Sequence, residues 1–195
     1  MARPARFTHD GILDEAAEVV ALRWRDATVA EVADRLRTPP NSIYYRFPSR
    51  HALFGSLWLR SVQRFHVGLL EALTLPDPGR AAEEAAAHIP RFSRQNPLDA
   101  IAMTLYRQHD LVELVPSPLS DEVRNVNDTV RTAMVDLAQR RFGRTDTDTL
   151  SLVAVACQET GYGLVHRYVR HGITMPPWLD DAVRASCTAI LALGD

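Results

Sequence analysis

TVAEVADRLRTPPNSIYYRFPSRHAL, residues 28–53, carries two short helix signatures separated by a tight turn. Thr28 can cap a helix through its hydroxyl, and Glu31 sits three residues on, the spacing of a capping box. Val29, Val32, Ala33 and Leu36 then recur on one helical face. Proline disfavours helical angles in the residue before it, so Thr38 and Pro39 are expected to be extended. Pro40 suits the first position of a new helix, which should run to about Arg46 and stop at Pro48. Ser49 is placed to cap the next one. Two helices joined in this way, the second opening on polar residues, describe a helix-turn-helix whose second helix fits the major groove of DNA.

The pattern outside this stretch is helical throughout. Upstream, Thr8 precedes a face of Ile12, Leu13, Ala16, Val19 and Val20. Downstream, a stripe of Leu53, Phe54, Leu57, Trp58, Ser61, Val62, Phe65 and Leu69 predicts a long helix to about Leu73. Pro76-Asp77-Pro78-Gly79 reads as a break. Further helices are expected over 80–94 with a kink at Pro90, over 98–114, around Val123–Leu137 up to Gly143, over 146–171 and over 178–193. The expected fold is all-α, about nine helices and no sheet. Residues 1–48 would form a DNA-binding domain, and 49–195 a helical dimerisation and ligand-binding domain.

Composition is consistent with that division. All 22 basic residues are arginine, so any cationic phosphate contact must come from a guanidinium. Residues 1–64 carry a balance of +3 and residues 65–195 one of −5, which sets a basic module beside an acidic remainder. No apolar stretch approaches a membrane span of roughly 20 residues, and Met1–Asp10 lacks the apolar run of a secretory signal. Two cysteines, Cys157 and Cys187, make neither a disulfide framework nor a zinc knuckle. A soluble cytoplasmic protein without cofactor or metal is expected. Gly-rich phosphate loops, His-x-x-x-His, Cys-x-x-Cys and Gly-x-Ser-x-Gly are missing, so no enzyme is expected.

Residues 28–53 resemble, without gaps, the DNA-binding domain of the tetracycline-repressor (TetR) family of bacterial transcriptional regulators. The matching pieces are the helix Thr28-Val-Ala-Glu-Val-Ala, the recognition segment Ser42-Ile-Tyr-Tyr-Arg-Phe and Pro48-Ser-Arg leading to Leu53. The chain departs from the family pattern at the turn, where Arg37 stands for the usual Gly, Thr38 for Val and Pro39 for a Ser cap. Asn41 replaces a common Gly, Arg50 the usual Lys, and Trp24 stands in a shortened connection that lacks its Gly. The resemblance implies phosphate contacts from Thr28, Ser42, Tyr44 and Arg50. It places Pro40, Asn41, Tyr45 and Arg46 toward the groove, with Thr38 beside them at the turn and Ile43 and Phe47 as packing residues. Asn can bond adenine and Arg guanine in two places each, so Asn41 and Arg46 are the expected base readers.

The resemblance also implies a homodimer on a palindromic double-stranded operator, and a repressor released by an unidentified small molecule. A regulator controlled by a protein partner, or by no ligand, is the alternative. The expected dimer face combines Tyr162, Leu164, Val165, Tyr168 and Val169 with Trp178, Ala182, Val183, Ser186, Ala189 and Ile190, and Gly161 and Gly163 would permit close helix approach. The expected ligand pocket draws on Phe65, His66, His88, Phe92, Met103, Tyr106, His109, Gln158 and Tyr162, a mixture of apolar bulk and polar groups. Its histidines lack metal-ligand spacing.

Overall fold

The computed structural model describes residues 7–195, and among these it is helical with no strand. Residues 1–6, which include part of the segment read above for a signal sequence, lie outside the described residues. The helices are α1 (His9–Arg23), α2 (Val29–Arg35), α3 (Pro40–Tyr44), α4 (Arg50–Leu73), α5 (Pro78–Gln95) and α6 (Pro97–Met103). They continue with α7 (Gln108–Leu114), α8 (Leu119–Asn125), α9 (Asp128–Phe142), α10 (Thr147–Ala154), α11 (Thr160–His171) and α12 (Leu179–Leu191).

The punctuation read from the sequence has clear physical partners. Thr8 Oγ1 accepts from the Gly11 amide at 3.0 Å and starts α1. The capping box is complete: the Glu31 amide donates to Thr28 Oγ1 at 3.2 Å and the Thr28 amide to Glu31 Oε2 at 2.9 Å. Pro39 is extended at φ −61°, ψ 143°, and Pro40 opens α3. Ser49 Oγ takes the Ala52 amide at 3.0 Å at the head of α4.

Four boundaries differ from expectation. The helix expected over 98–114 is two, α6 and α7. Thr104 ends α6 by donating its hydroxyl to the Ile101 carbonyl at 2.7 Å while accepting from Trp24 Nε1 at 3.0 Å. The helix expected around Val123–Leu137 divides into α8 and α9, because Gln108 Nε2 takes the Val123 and Arg124 carbonyls at 2.8 and 2.9 Å. The long helix ending at His171 is interrupted by a π-helical turn, Val155–Glu159. The break at 76–79 is shorter than expected, since Asp77 Oδ1 caps α5 through the Arg80 amide at 2.7 Å and Pro78 fills the first turn.

Packing gathers two compact units. One comprises the residues up to Val62 together with Leu98–Val126; the other comprises Gln63–Pro97 and Asn127–Asp195. The first therefore extends past residue 48. Trp58, Leu59 and Val62 of α4 bury against Leu111, Val115 and Val123, while Leu53, Phe54 and Leu57 join Ile12, Val20, Val32, Ile43 and Phe47. A buried hydrogen bond from Ser61 Oγ to Asp99 Oδ1 at 2.6 Å ties α4 to α6 in the same unit.

In the second unit α5 presents Ala81, Ala82, Ala85 and Ala86, all fully buried, so neighbouring helices approach closely. Gly161 is part of this approach: a Cβ there would stand 2.7 Å from Ile89 Cδ1. Arg140 holds the chain at the end of α4, with Nη2 on the last helical carbonyl, Leu73, at 2.6 Å and Nη1 on that of Leu75, just beyond, at 2.9 Å, so that a carbonyl without an intrahelical donor is satisfied.

Candidate nucleic-acid interface

The α2–α3 pair is anchored from beneath by Ile43 and Phe47, at 1% and 2% exposure, as expected of packing residues. The backbone on either side of α2 is unusual. Trp24 has φ 47° and Arg37 has φ 51°, both in the region glycine favours. Arg37 stands in the turn where the family pattern usually carries Gly, and Trp24 in the shortened connection that lacks its Gly. A non-glycine residue held there stores strain of roughly 1–2 kcal/mol, and glycine's own entropy cost recovers roughly half of it on replacement. Arg37→Gly is therefore expected to stabilise the chain by about 0.5–1 kcal/mol, seen as a higher urea midpoint; an unchanged or lower midpoint would contradict the strain.

Above that base stands a row of unengaged polar side chains. Pro40, Asn41 and Tyr45 are exposed, Tyr45 at 92%, and Tyr44 is 44% exposed. Thr38, Ser42 and Arg46 are half-buried. Among the described residues, no partner engages the side chains of Asn41, Ser42, Tyr44, Tyr45 or Arg46. Three other guanidiniums in the unit are committed: Arg23 to Glu31 at 3.0 Å, Arg35 to Glu15 at 2.6 Å, and Arg60 to Asp14 at 2.9 Å. Arg37 and Arg46 are left with their charge uncompensated at the turn and on α3. Arg37 was not singled out from the sequence as a contact, although its place in the turn is the signal that could have found it.

Two of the expected phosphate contacts are already occupied. The Thr28 hydroxyl donates to Glu31 Oε2 at 2.8 Å, and these bonds hold the Glu31 carboxyl below its usual range. Arg50 turns inward: Nε donates to the Ala27 carbonyl at 2.9 Å, Nη2 to that of Arg25, and the guanidinium lies 5.1 Å from the Phe54 ring centre. It braces the segment before α2.

The nine expected pocket residues fall into separate groups. Phe65, His66, His88 and Phe92 cluster in the second unit, with the His88 ring centre 4.9 Å from Phe65 and 5.7 Å from Phe92. Gln158 lies half-buried in the π turn. Met103 and Tyr106 pack in the first unit beside Trp58 and Val62. His109 is on the surface, paired with Asp110 at 2.7 Å, and Tyr162 is 51% exposed against His166. Among the described residues no group of three or more His, Cys, Asp or Glu is placed to hold a metal. No described helix is long and apolar enough to cross a membrane.

Burial pushes the His66 and His88 imidazoles below their ordinary value of 6.5, against opposing hydrogen bonds to Asn127 and the Phe65 carbonyl. The unfolded chain then binds more protons as pH falls through 6.5, so stability is present above that value and is lost below it. The melting temperature is expected to be flat from pH 8 to 7 and to fall from 6.5 to 5. A double His66→Gln, His88→Gln variant should flatten that fall; an unchanged slope would locate the sensitive groups elsewhere.

The expected dimer face is also divided. Val165, Tyr168 and Val183 are buried inside the chain at 1%, 6% and 1% exposure, which removes them from any outer surface. Leu164, Val169 and Ile190 pack partly against the same cores, and Ser186 returns its hydroxyl to the Ala182 carbonyl at 2.8 Å. Tyr162, Trp178 and Ala189 do face outward, with Gly163 and His166 beside Tyr162 on α11. A Cβ at Gly163 would meet nothing within 4 Å.

Residues 12–57 match the family model for bacterial regulatory proteins of the tetR family. Among curated proteins, none matches the chain. Several solved structures share its fold. A transcriptional regulator from Rhodococcus sp. Rha1 superposes with a TM-score of 0.74 at 20% identity, over 97% of this chain and 98% of that one. The TetR-family regulator PfmR from Thermus thermophilus gives 0.70 at 17%, over 93% and 97%. The ketosteroid transcriptional regulator KstR2 of Mycobacterium tuberculosis gives 0.68 at 16%, over 94% and 93%.

Proposed function

Residues 12–57 make the chain a member of the tetR family of bacterial regulatory proteins, and from that premise we propose that it is a homodimeric repressor released from a palindromic operator by a small molecule. The observation that carries this reading is the row Asn41, Tyr44, Tyr45 and Arg46. It is unengaged within the chain and stands on a helix whose other face is pinned by Ile43 and Phe47. Side chains so placed are free to bond base edges and phosphates without first breaking an internal contact. A twofold dimer would repeat the row about one helical turn of DNA away, roughly 34–36 Å. The outward face of Tyr162, Gly163, His166 and Ala189 is where the second copy would sit.

The test is selection of tight binders from a pool of random duplexes at low salt, with light scattering of the same preparation. An enriched palindrome, weakened by added salt, and a mass of twice the chain are the expected results. A monomeric mass at micromolar concentration, or no enrichment with or without cell-extract metabolites, would overturn the reading.

A further inference from the structure

A cleft of about 360 Å³ opens in the first unit, with no residue of the Phe65–His88 cluster in its lining. Its apolar surface comes from Phe54, Leu105 and Leu114, the last of them 43% exposed at the rim. Three guanidiniums line it, from Arg25, Arg50 and Arg107, against a single carboxylate, Asp110, which pairs with His109. Arg50 is spent on backbone carbonyls, whereas Arg107 has no partner among the described residues. Tyr106 completes the same wall.

We propose that this cleft binds a small amphipathic carboxylate, its head on Arg107 and Arg25 and its apolar body on Phe54, Leu105 and Leu114. The planar guanidinium fork matches a carboxylate in two places, and the excess of cationic over anionic groups favours a single negative charge. Asp110 disfavours a dianion such as phosphate at the same wall. The head group would touch the segment whose Ala27 and Arg25 carbonyls Arg50 holds, just before α2. Occupancy thus bears on the stretch that sets the helix-turn-helix. That coupling rests on the proposed regulatory function; the binding itself does not.

The test is calorimetric titration of the full chain, without DNA, with sodium octanoate and with octan-1-ol. Saturable binding of one octanoate per chain is expected, at least tenfold tighter than the alcohol. Arg107→Gln should lower octanoate affinity at least tenfold, and Leu114→Glu should do likewise. Both positions lie at the surface, so unchanged far-UV circular dichroism is expected and certifies the fold. Absent saturation, equal affinity for octan-1-ol, or undiminished octanoate binding by Arg107→Gln each overturns the proposal. Weakened duplex binding by Arg107→Gln with octanoate binding intact would assign the arginine to the DNA backbone instead.

Discussion

Phe47→Ala is expected to lower the unfolding free energy by about 3–5 kcal/mol and to abolish duplex binding at every sequence. The ring is 2% exposed and sits where α3 ends, packed among the side chains of α1, α2 and α4. His9, at the start of α1, lies against it with ring centres 4.5 Å apart. Because α3 has only five residues, it cannot hold its own conformation. The tertiary anchor supplies what the hydrogen bonds do not, so a cavity there should release the recognition helix together with part of the core. Urea unfolding followed by circular dichroism measures the first effect, and duplex binding the second. A loss below about 1 kcal/mol would mean that Ile43 alone suffices as the anchor.

Arg46→Ala should cost about 1–3 kcal/mol on the selected duplex, a loss of roughly ten- to a hundredfold in affinity, and should relax preference at one base pair of each half-site. Asn41→Ala should act alike at a neighbouring pair. Tyr44→Phe, which removes one hydroxyl bond, should weaken all duplexes evenly and leave preference untouched. None of these side chains has an internal partner, so the variants should melt as the parent does. Affinity ranked over a panel of single-pair mismatches separates the roles. An even loss from Arg46→Ala together with altered preference from Tyr44→Phe would reverse the assignment.

Much of the helix-turn-helix was legible because its signals are local. A capping box, a proline pair and a serine cap act over three or four residues, and each was met where expected. The breaks inside 98–114 and after Asn125 were not legible. The carbonyls that end those helices are taken by Thr104 and Gln108, and Thr104 is further held by Trp24, 80 residues distant. Which face of α11 and α12 looks outward was equally hidden. Periodicity reports an apolar stripe but not what covers it, so Val165 and Val183 read like Tyr162 and Trp178. Arg50 likewise carried a phosphate-contact reading through the family resemblance, while the fold uses its donors on carbonyls.

The π turn at Val155–Glu159 gives the outer surface of α11 a tolerance to chain length. Such a turn amounts to one residue inserted into an α-helix, and each residue of a helix advances the side-chain direction by about 100°. A turn bonded i→i+5 advances less per residue, so its five residues rotate about as far as four of a regular helix. Deleting one of 155–159 would therefore yield a regular helix that leaves Tyr162, Gly163 and His166 close to their present azimuth and Gly161 on Ile89. The surface available to a second copy is thus indifferent to a one-residue deletion inside the turn, whereas the same deletion in a regular stretch would rotate it by about 100°. Chains of this fold that lack the extra residue of this turn should still pair through the same face where the surrounding side chains are kept.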